Sequence, residues 1–281
     1  MRFGVTMFAT DRTMPPVQLA PEVESRGLHS LYLPEHTHIP VSRRTPPPTG
    51  EAELDDAYRR TLDPFVALAM AGAVTSTLRL GTGVALVAQH DPIVLAKQVA
   101  TLDHLTGGRA VLGVGFGWNH EEMEDHGIDP RRRRAVAREH VLAMQALWSK
   151  DVASFEGEFV HLSPSWAWPK PASRVPVLVG GGAGPRLFDH VTEYASGWIP
   201  IGGAGLSTSL PQLRDAWSAA GRDPVDLEVV PFGTVPDEAK LAHYADLGVT
   251  EVVLRLPPGA GRDEVLPVLD RFAVLAGRIS G

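Results

Sequence analysis

Eight times along the chain a short run rich in apolar and β-branched residues gives way to a segment with helical hydrophobic periodicity, and this alternation constrains the fold most. The runs fall at residues 2–7, 30–34, 78–87, 110–115, 175–179, 197–201, 227–232 and 251–256; the helical segments fall at 15–26, 64–76, 92–105, 131–149, 185–194, 211–220, 238–247 and 263–276. Ala137, Val141, Met144 and Trp148 are spaced i, i+4, i+7, i+11, as are Val265, Leu269, Phe272 and Ala276, so both segments are one-sided helices. Several helices carry Pro in the first turn, where its missing N–H removes no hydrogen bond. Eight strand–helix pairs in 281 residues predict an α/β fold, a (β/α)8 TIM barrel formed as one domain over 1–281, in preference to a doubly wound open sheet. Two stretches predict insertions after the second and fourth strands. Residues 37–61 lack helix periodicity and would overhang the carboxyl ends of the strands as a lid or substrate wall, and residues 153–162 alternate around Gly157 as a hairpin.

Function classes narrow with charge and composition. A formal net charge of −7 argues against nucleic acid as a partner, because phosphate binding needs a basic face, and leaves a small-molecule substrate. With no cysteine there is no disulfide or thiolate chemistry, which is compatible with a cytoplasmic protein. The first residues, Met1 to Met7, resemble a strand and not a secretion signal, and no apolar stretch reaches the roughly 18 residues that suggest a membrane span.

Residues at the carboxyl ends of barrel strands line the active site. The second strand ends in Leu33-Pro34-Glu35-His36-Thr37-His38, which puts Glu35 and His36 where acid–base groups belong, although a plain surface loop has the same pattern. Metal binding through His36 and His38 is a rival reading, but no second cluster completes a ligand set, so no metal is expected. Glycines at 81 and 83 in the third strand mark either a bulge, the close approach of a flat ligand, or helix packing. The run Gly113, Gly115, Gly117 has the same ambiguity; it opens no helix in a first βα unit as a Rossmann fingerprint would, and the residues after it, Trp118 to Glu122, are expected to form a loop. Gly180-Gly181-Gly182-Ala183-Gly184 stands just ahead of a helix and forms a natural phosphate cradle. Arg131 to Arg134 read as a solvated helix start.

Taken together, the segments 34–40, 62–65, 80–84, 96–103, 107–109, 113–119 and 168–171 resemble the luciferase-like monooxygenase family, and most closely its actinobacterial branch that uses the deazaflavin coenzyme F420. The similarity runs from the first strand to about Gly203. It implies a cofactor ring lying at the strand carboxyl ends, backed by a non-proline cis peptide that here matches Gly83–Val84. It also implies His36 as hydrogen-bond partner or acid–base group at the ring, Glu35 orienting it, Phe116, Gly117, Trp118 and Asn119 in a cofactor-contacting loop, and Gly180, Gly181, Gly182 and Gly184 around the phosphate. The implied activity is hydride transfer between F420 and a small organic substrate, with an FMN-dependent monooxygenase or a non-catalytic flavin-binding barrel as alternatives. Family members commonly dimerise, which implies a homodimer. The chain departs from the family at Ser196-Gly197-Trp198, where an Asp is usual, so no role of that Asp carries over.

Overall fold

The computed structural model describes residues 1–47, 50 and 53–280; positions 48, 49, 51 and 52 of the first insertion and Gly281 lie outside the described residues. In chain order the strands are β1 (Arg2–Thr6), β2 (Ser30–Leu33), β3 (Arg79–Thr82), β4 (Ala110–Val114), β5 (Ala153–Glu156), β6 (His161–Ser165), β7 (Val177–Gly180), β8 (Gly197–Ile199), β9 (Glu228–Val229), β10 (Phe232–Thr234) and β11 (Glu251–Arg255). The α-helices are α1 (Pro16–Ser25), α2 (Pro64–Ala73), α3 (Pro92–Thr106), α4 (His120–Asp125), α5 (Arg133–Ser149), α6 (Pro185–Tyr194), α7 (Leu206–Ala219), α8 (Glu238–Asp246) and α9 (Arg262–Ser280).

Every pairing in the main sheet is parallel, in the order β10-β11-β1-β2-β3-β4-β7-β8-β9. Because β9 and β10 are successive pieces of one stretch of chain, the sheet closes on itself as the predicted barrel. The break between them has a cause. Pro231 has no N–H to give to β11, although its carbonyl accepts from Val253, while on the other side Val230 and Phe232 donate to the carbonyls of Trp198 and Pro200, so the seventh stave joins both neighbours across the break. Prolines also shorten the expected strands 175–179 and 197–201, at Pro176 and Pro200. β5 and β6 form the antiparallel hairpin, buried on one side by Ala153 and Leu162.

Side chains pack in two layers. Inside the barrel Tyr32, Val111, Leu178, Ile199, Val230, Phe232 and Val253 form one cluster, and the larger cluster lies between sheet and helices. Large and small residues alternate across the interior: Gly81 is paired in register with Tyr32, and a Cβ at Gly81 would come within 2.3 Å of that ring. At Gly113 an added Cβ would meet the Thr82 carbonyl oxygen at 2.0 Å, a backbone contact that cannot yield. Close approach therefore explains both glycines.

Three elements depart from expectation. The third strand ends at Thr82 and not at 87: Ala85 rejoins β4 by bridging Val114, and residues Val87–Gln89 coil into a 3-10 turn. Residues Trp118 to Glu122 are not a loop throughout, since Asn119 accepts from the Glu122 N–H and starts α4, with Glu121 and Glu122 favourably placed in its first turn. α7 begins at Leu206, five residues before Pro211; the acceptor that Pro211 leaves unbonded belongs to exposed Ser207, which water can serve. Among the described residues no helix is long and apolar enough to cross a membrane.

Candidate active site

The strand carboxyl ends open into a cavity of about 660 Å³, a volume suited to a cofactor-sized ligand. Its walls come from the ends of β1, β2, β3, β4, β7, β8, β10 and β11, and from Tyr58 of the 3-10 turn Asp56–Arg60 in the first insertion. Five glycines, Gly83, Gly115, Gly117, Gly180 and Gly181, share that wall with Val84 and Phe116, so bare backbone forms much of one side. The Gly83–Val84 peptide is cis, as the resemblance implies.

Opposite the glycines stands His36, 9% exposed and boxed by aromatic rings: Tyr58 at 5.3 Å and Trp118 at 5.7 Å between centroids, with Phe8 against Tyr58 at 4.9 Å. Its two ring nitrogens have different partners. Nδ1 lies 2.8 Å from Glu122 Oε2, and the Trp118 indole N–H donates to Nε2 at 3.3 Å. Only the tautomer protonated on Nδ1 satisfies both, donating to the carboxylate and accepting from the indole. Glu122 is fully buried at the start of α4 and its other oxygen accepts from the Thr37 N–H at 3.2 Å, so the carboxylate that orients His36 is itself fixed. A proton exchanged with a ligand would pass through Nε2, where the ligand takes the place of the 3.3 Å bond from the indole. Glu122→Gln would offer an amide N–H to Nδ1 and favour the other tautomer; the expected result is a loss of at least about tenfold in kcat with KM little changed, read from steady-state kinetics.

Glu35 does not orient His36, which corrects the expectation. Buried at 4% exposure, its carboxylate accepts from the Leu86 N–H at 2.6 Å and from His90 Nε2 at 2.8 Å, and so pins the chain that leaves the Gly83–Val84 bulge. That tether explains why the third strand stops early. Burial works against charge on His90, but the hydrogen bond and the charge of Glu35 outweigh it and hold its pKa above the usual imidazole value. A raised folded-state pKa stabilises the protein fully below the unfolded value of about 6.5, and that contribution fades as pH rises through the folded value. His29, His126, His140 and His190 have lowered values and act with the opposite sign, so the expected result is that the melting-temperature difference between wild type and His90→Gln shrinks as pH rises across this window; a difference independent of pH would contradict the pairing.

His36 and His38 diverge. His38 is partly exposed and bonds to Asp125 and to the Thr37 hydroxyl. Among the described residues no group of three or more His, Asp or Glu is placed to hold a metal ion. Asn119 is fully buried but serves as the α4 cap, outside the cavity wall. Nearby, Glu121 accepts from the Arg44 and Thr45 N–H groups and the Thr45 hydroxyl; these bonds, that hydroxyl's above all, hold its pKa down at about 2 and fasten this part of the first insertion to α4.

The Trp198 indole donates to the Gly181 carbonyl at 2.9 Å, anchoring the glycine loop. Gly182 and Gly184 lie past the wall in open space, and among the described residues Gly182, Ala183 and Gly184 donate no backbone hydrogen bond within the chain. With α6 starting at Pro185, these free amides and the helix dipole suit a phosphate. A flat ring against Cβ-free backbone with an anionic end at this loop is what a flavin or deazaflavin presents, so the residues present fit such a cofactor.

Sequence reading missed Glu122, His90 and Tyr58. Glu122 was discoverable from the Asn119-to-Glu122 cap spacing, which sets a helix start at the end of β4. Residues 2–237 match the family description "Luciferase-like monooxygenase". The uncharacterized protein Rv0953c of Mycobacterium tuberculosis is 47% identical over 277 residues, covering 97% of this chain and 98% of that protein. An F420-dependent glucose-6-phosphate dehydrogenase of Kineococcus radiotolerans is 34% identical over 213 residues, 72% of this chain and 58% of the relative. The monooxygenase RslO1 of Streptomyces bottropensis superposes with a TM-score of 0.80 over the full length of both chains at 20% identity, a likeness of fold. With its barrel, its cavity at the strand ends and a match over most of its length, this chain belongs to the luciferase-like monooxygenase family.

Proposed function

We propose that the protein is an oxidoreductase that transfers a hydride between coenzyme F420 and a small organic substrate. The observation that carries this reading is a single oriented base, His36, sharing one cavity with a wall of glycine backbone. The dehydrogenase relative points to the same coenzyme. Bound there, a deazaflavin ring supplies a hydride-transferring carbon where a flavin has a nitrogen. The chain's own groups do the rest. Gly83, Val84, Gly115 and Gly117 would hold such a ring, and Tyr58, Trp118 and Phe8 would exclude water from this part of the cavity. Burial pushes the Tyr58 pKa up, against the pull of Arg255, so its hydroxyl stays protonated as a donor. His36 Nε2 takes or gives the proton that accompanies hydride movement at the substrate oxygen or nitrogen.

An FMN-dependent monooxygenase is the second reading, favoured by the monooxygenase of like fold. Reduced F420 mixed without oxygen with a panel of ketones, aldehydes and activated alkenes separates them: coenzyme oxidation with at least one substrate supports the first reading. Turnover only with reduced FMN and oxygen supports the second and overturns the first.

We also infer that a second copy of the chain covers the exposed apolar residues Val66 and Met70 of α2, Val74 at its carboxyl cap, and Ile93, Val94 and Leu105 of α3, two helices packed side by side. Sedimentation is expected to give a dimer for the wild type and a monomer for Val66→Glu/Leu105→Glu.

A further inference from the structure

One stretch of the cavity wall has no part in the chemistry above: the ends of β10 and β11. There the pairing of the two strands slips by one residue. Phe232 is in register with Val253 and Thr234 with Leu254, while Gly233 between them has no partner and takes a left-handed φ of +67°. An extra residue of this kind bends a strand and re-aims what stands next to it. Here that neighbour is Arg255, whose Nε is the one atom within reach of a Cβ built on Gly233, at 4.0 Å. Arg255 is exposed, and it is the only lysine or arginine among the described residues of the wall. It makes no hydrogen bond or ion pair with any described residue. Elsewhere on this chain arginines fare differently: with 33 acidic residues against 26 basic ones, even well-exposed Arg12, Arg59 and Arg131 hold a carboxylate. The acids of the cavity wall are committed to other groups, Glu35 to the Leu86 amide and His90, and Asp55 to the Ala57 amide. Tyr58 stands near enough for the Arg255 charge to act on its hydroxyl, which donates to no group among the described residues. The same ring packs on His36 at 5.3 Å. Around these two donors the wall is apolar, from Phe8, Ile201, Phe232 and Pro258.

In a mostly apolar pocket the few placed polar groups fix the orientation of the ligand. A guanidinium presents a fork of parallel N–H groups that matches the two oxygens of one carboxylate. A phosphate monoester carries about two negative charges and calls for a second cation, which the described wall lacks. A chain of net charge −7 repels anions on average, so a free cation inside its cavity supplies an attraction that the rest of the surface does not. We propose that Arg255, with the Tyr58 hydroxyl beside it, binds a carboxylate of the substrate, which makes the substrate a small organic acid with an apolar body. The proposal rests on the oxidoreductase reading above and adds to it the group by which the substrate is held. The atom that exchanges a proton with His36 belongs to the same molecule, a short distance from its carboxylate, because Tyr58 adjoins both His36 and Arg255.

Isothermal titration of the protein, without added coenzyme and again in the presence of F420, measures affinity for benzoate, phenylacetate and levulinate, each against its own methyl ester, and for phenyl phosphate. The wild type is compared with Arg255→Met, which keeps an apolar stem at an exposed position, and with Arg255→Lys, which keeps the charge without the fork. At least one carboxylate is expected to bind the wild type about 10- to 100-fold more tightly than its ester, the worth of a charge-assisted hydrogen bond. Arg255→Met is expected to lose that preference and Arg255→Lys to keep part of it, while both bind the esters and F420 within about twofold of the wild type. A wild type that prefers no carboxylate to its ester, or a preference that Arg255→Met retains, overturns the subsite. Phenyl phosphate held more tightly than every carboxylate overturns the choice of ligand group. A loss of F420 affinity in Arg255→Met as large as its loss of carboxylate affinity overturns the assignment to substrate, since the cation then serves the coenzyme. A carboxylate preference that depends on Arg255 in a protein that binds no F420 supports the subsite and defeats the coenzyme reading alone.

Discussion

Replacing His36 with Ala is expected to slow the chemical step by about 10²- to 10⁴-fold, the usual worth of a positioned acid–base group. The magnitude follows from geometry: Nδ1 is committed to Glu122, His36 lines the cavity with Nε2 held only by the 3.3 Å bond from Trp118, and no other imidazole or unpaired carboxylate among the described residues of the wall can substitute. Glu35 is held by Leu86 and His90, and Asp55 caps the 3-10 turn that carries Tyr58. Single-turnover oxidation of reduced coenzyme isolates this step from product release. The wild-type rate is expected to vary with pH and the variant's residual rate to lose that dependence. An unchanged rate and pH profile would remove the proton role from His36. Weaker coenzyme binding with an unchanged rate of the bound complex would make it a binding group only.

The second large effect lies at the opposite end of the barrel. Arg79, at the amino end of β3, reaches Glu228 at 3.0 Å and Glu251 at 3.3 Å, and Arg2 approaches Glu228 at 3.7 Å. Glu251 is wholly buried; burial pushes its pKa up, while Arg79 and the short bond from the Ser30 hydroxyl pull the other way. Arg79→Met leaves this carboxylate buried without its cation, a change that costs about 3–5 kcal/mol. Melting temperature is expected to drop by roughly 10 °C, while Glu251→Gln, which removes the charge needing compensation, is expected to cost less. Coenzyme affinity should not change in either variant, because the cluster sits at the strand amino ends, away from the cavity. A loss under about 1 kcal/mol for Arg79→Met would show that water already reaches Glu251.

The barrel was legible in the sequence because hydrophobic periodicity is local: each stave and helix writes its own pattern. Boundaries were less so. The expected strands 175–179, 197–201 and 227–232 run through Pro176, Pro200 and Pro231, and the end of β3 depends on a bond from the Leu86 amide to Glu35, 51 residues away in sequence. The site divides the same way. His36 and the glycine walls follow from their places at strand ends. The partner of His36 comes from 86 residues further on, and a pairing at that separation leaves no periodic trace. The resemblance implies an orienting role for Glu35, adjacent in sequence to His36, but the two groups bond to different parts of the fold, Glu35 to Leu86 and His90 and His36 to Glu122. Tyr58 was hidden because the insertion that delivers it has no periodicity until Asp55 caps its short turn.

The central claim is that this cavity holds a deazaflavin ring against Gly83–Val84 and the glycine walls, with His36 at its edge. Fluorescence titration of the wild-type protein with F420 and with FMN under the same conditions tests it most directly. Saturable binding of one F420 per chain, at least about tenfold tighter than FMN, is the predicted result. Tighter binding of FMN, or no saturable binding of F420, would contradict it.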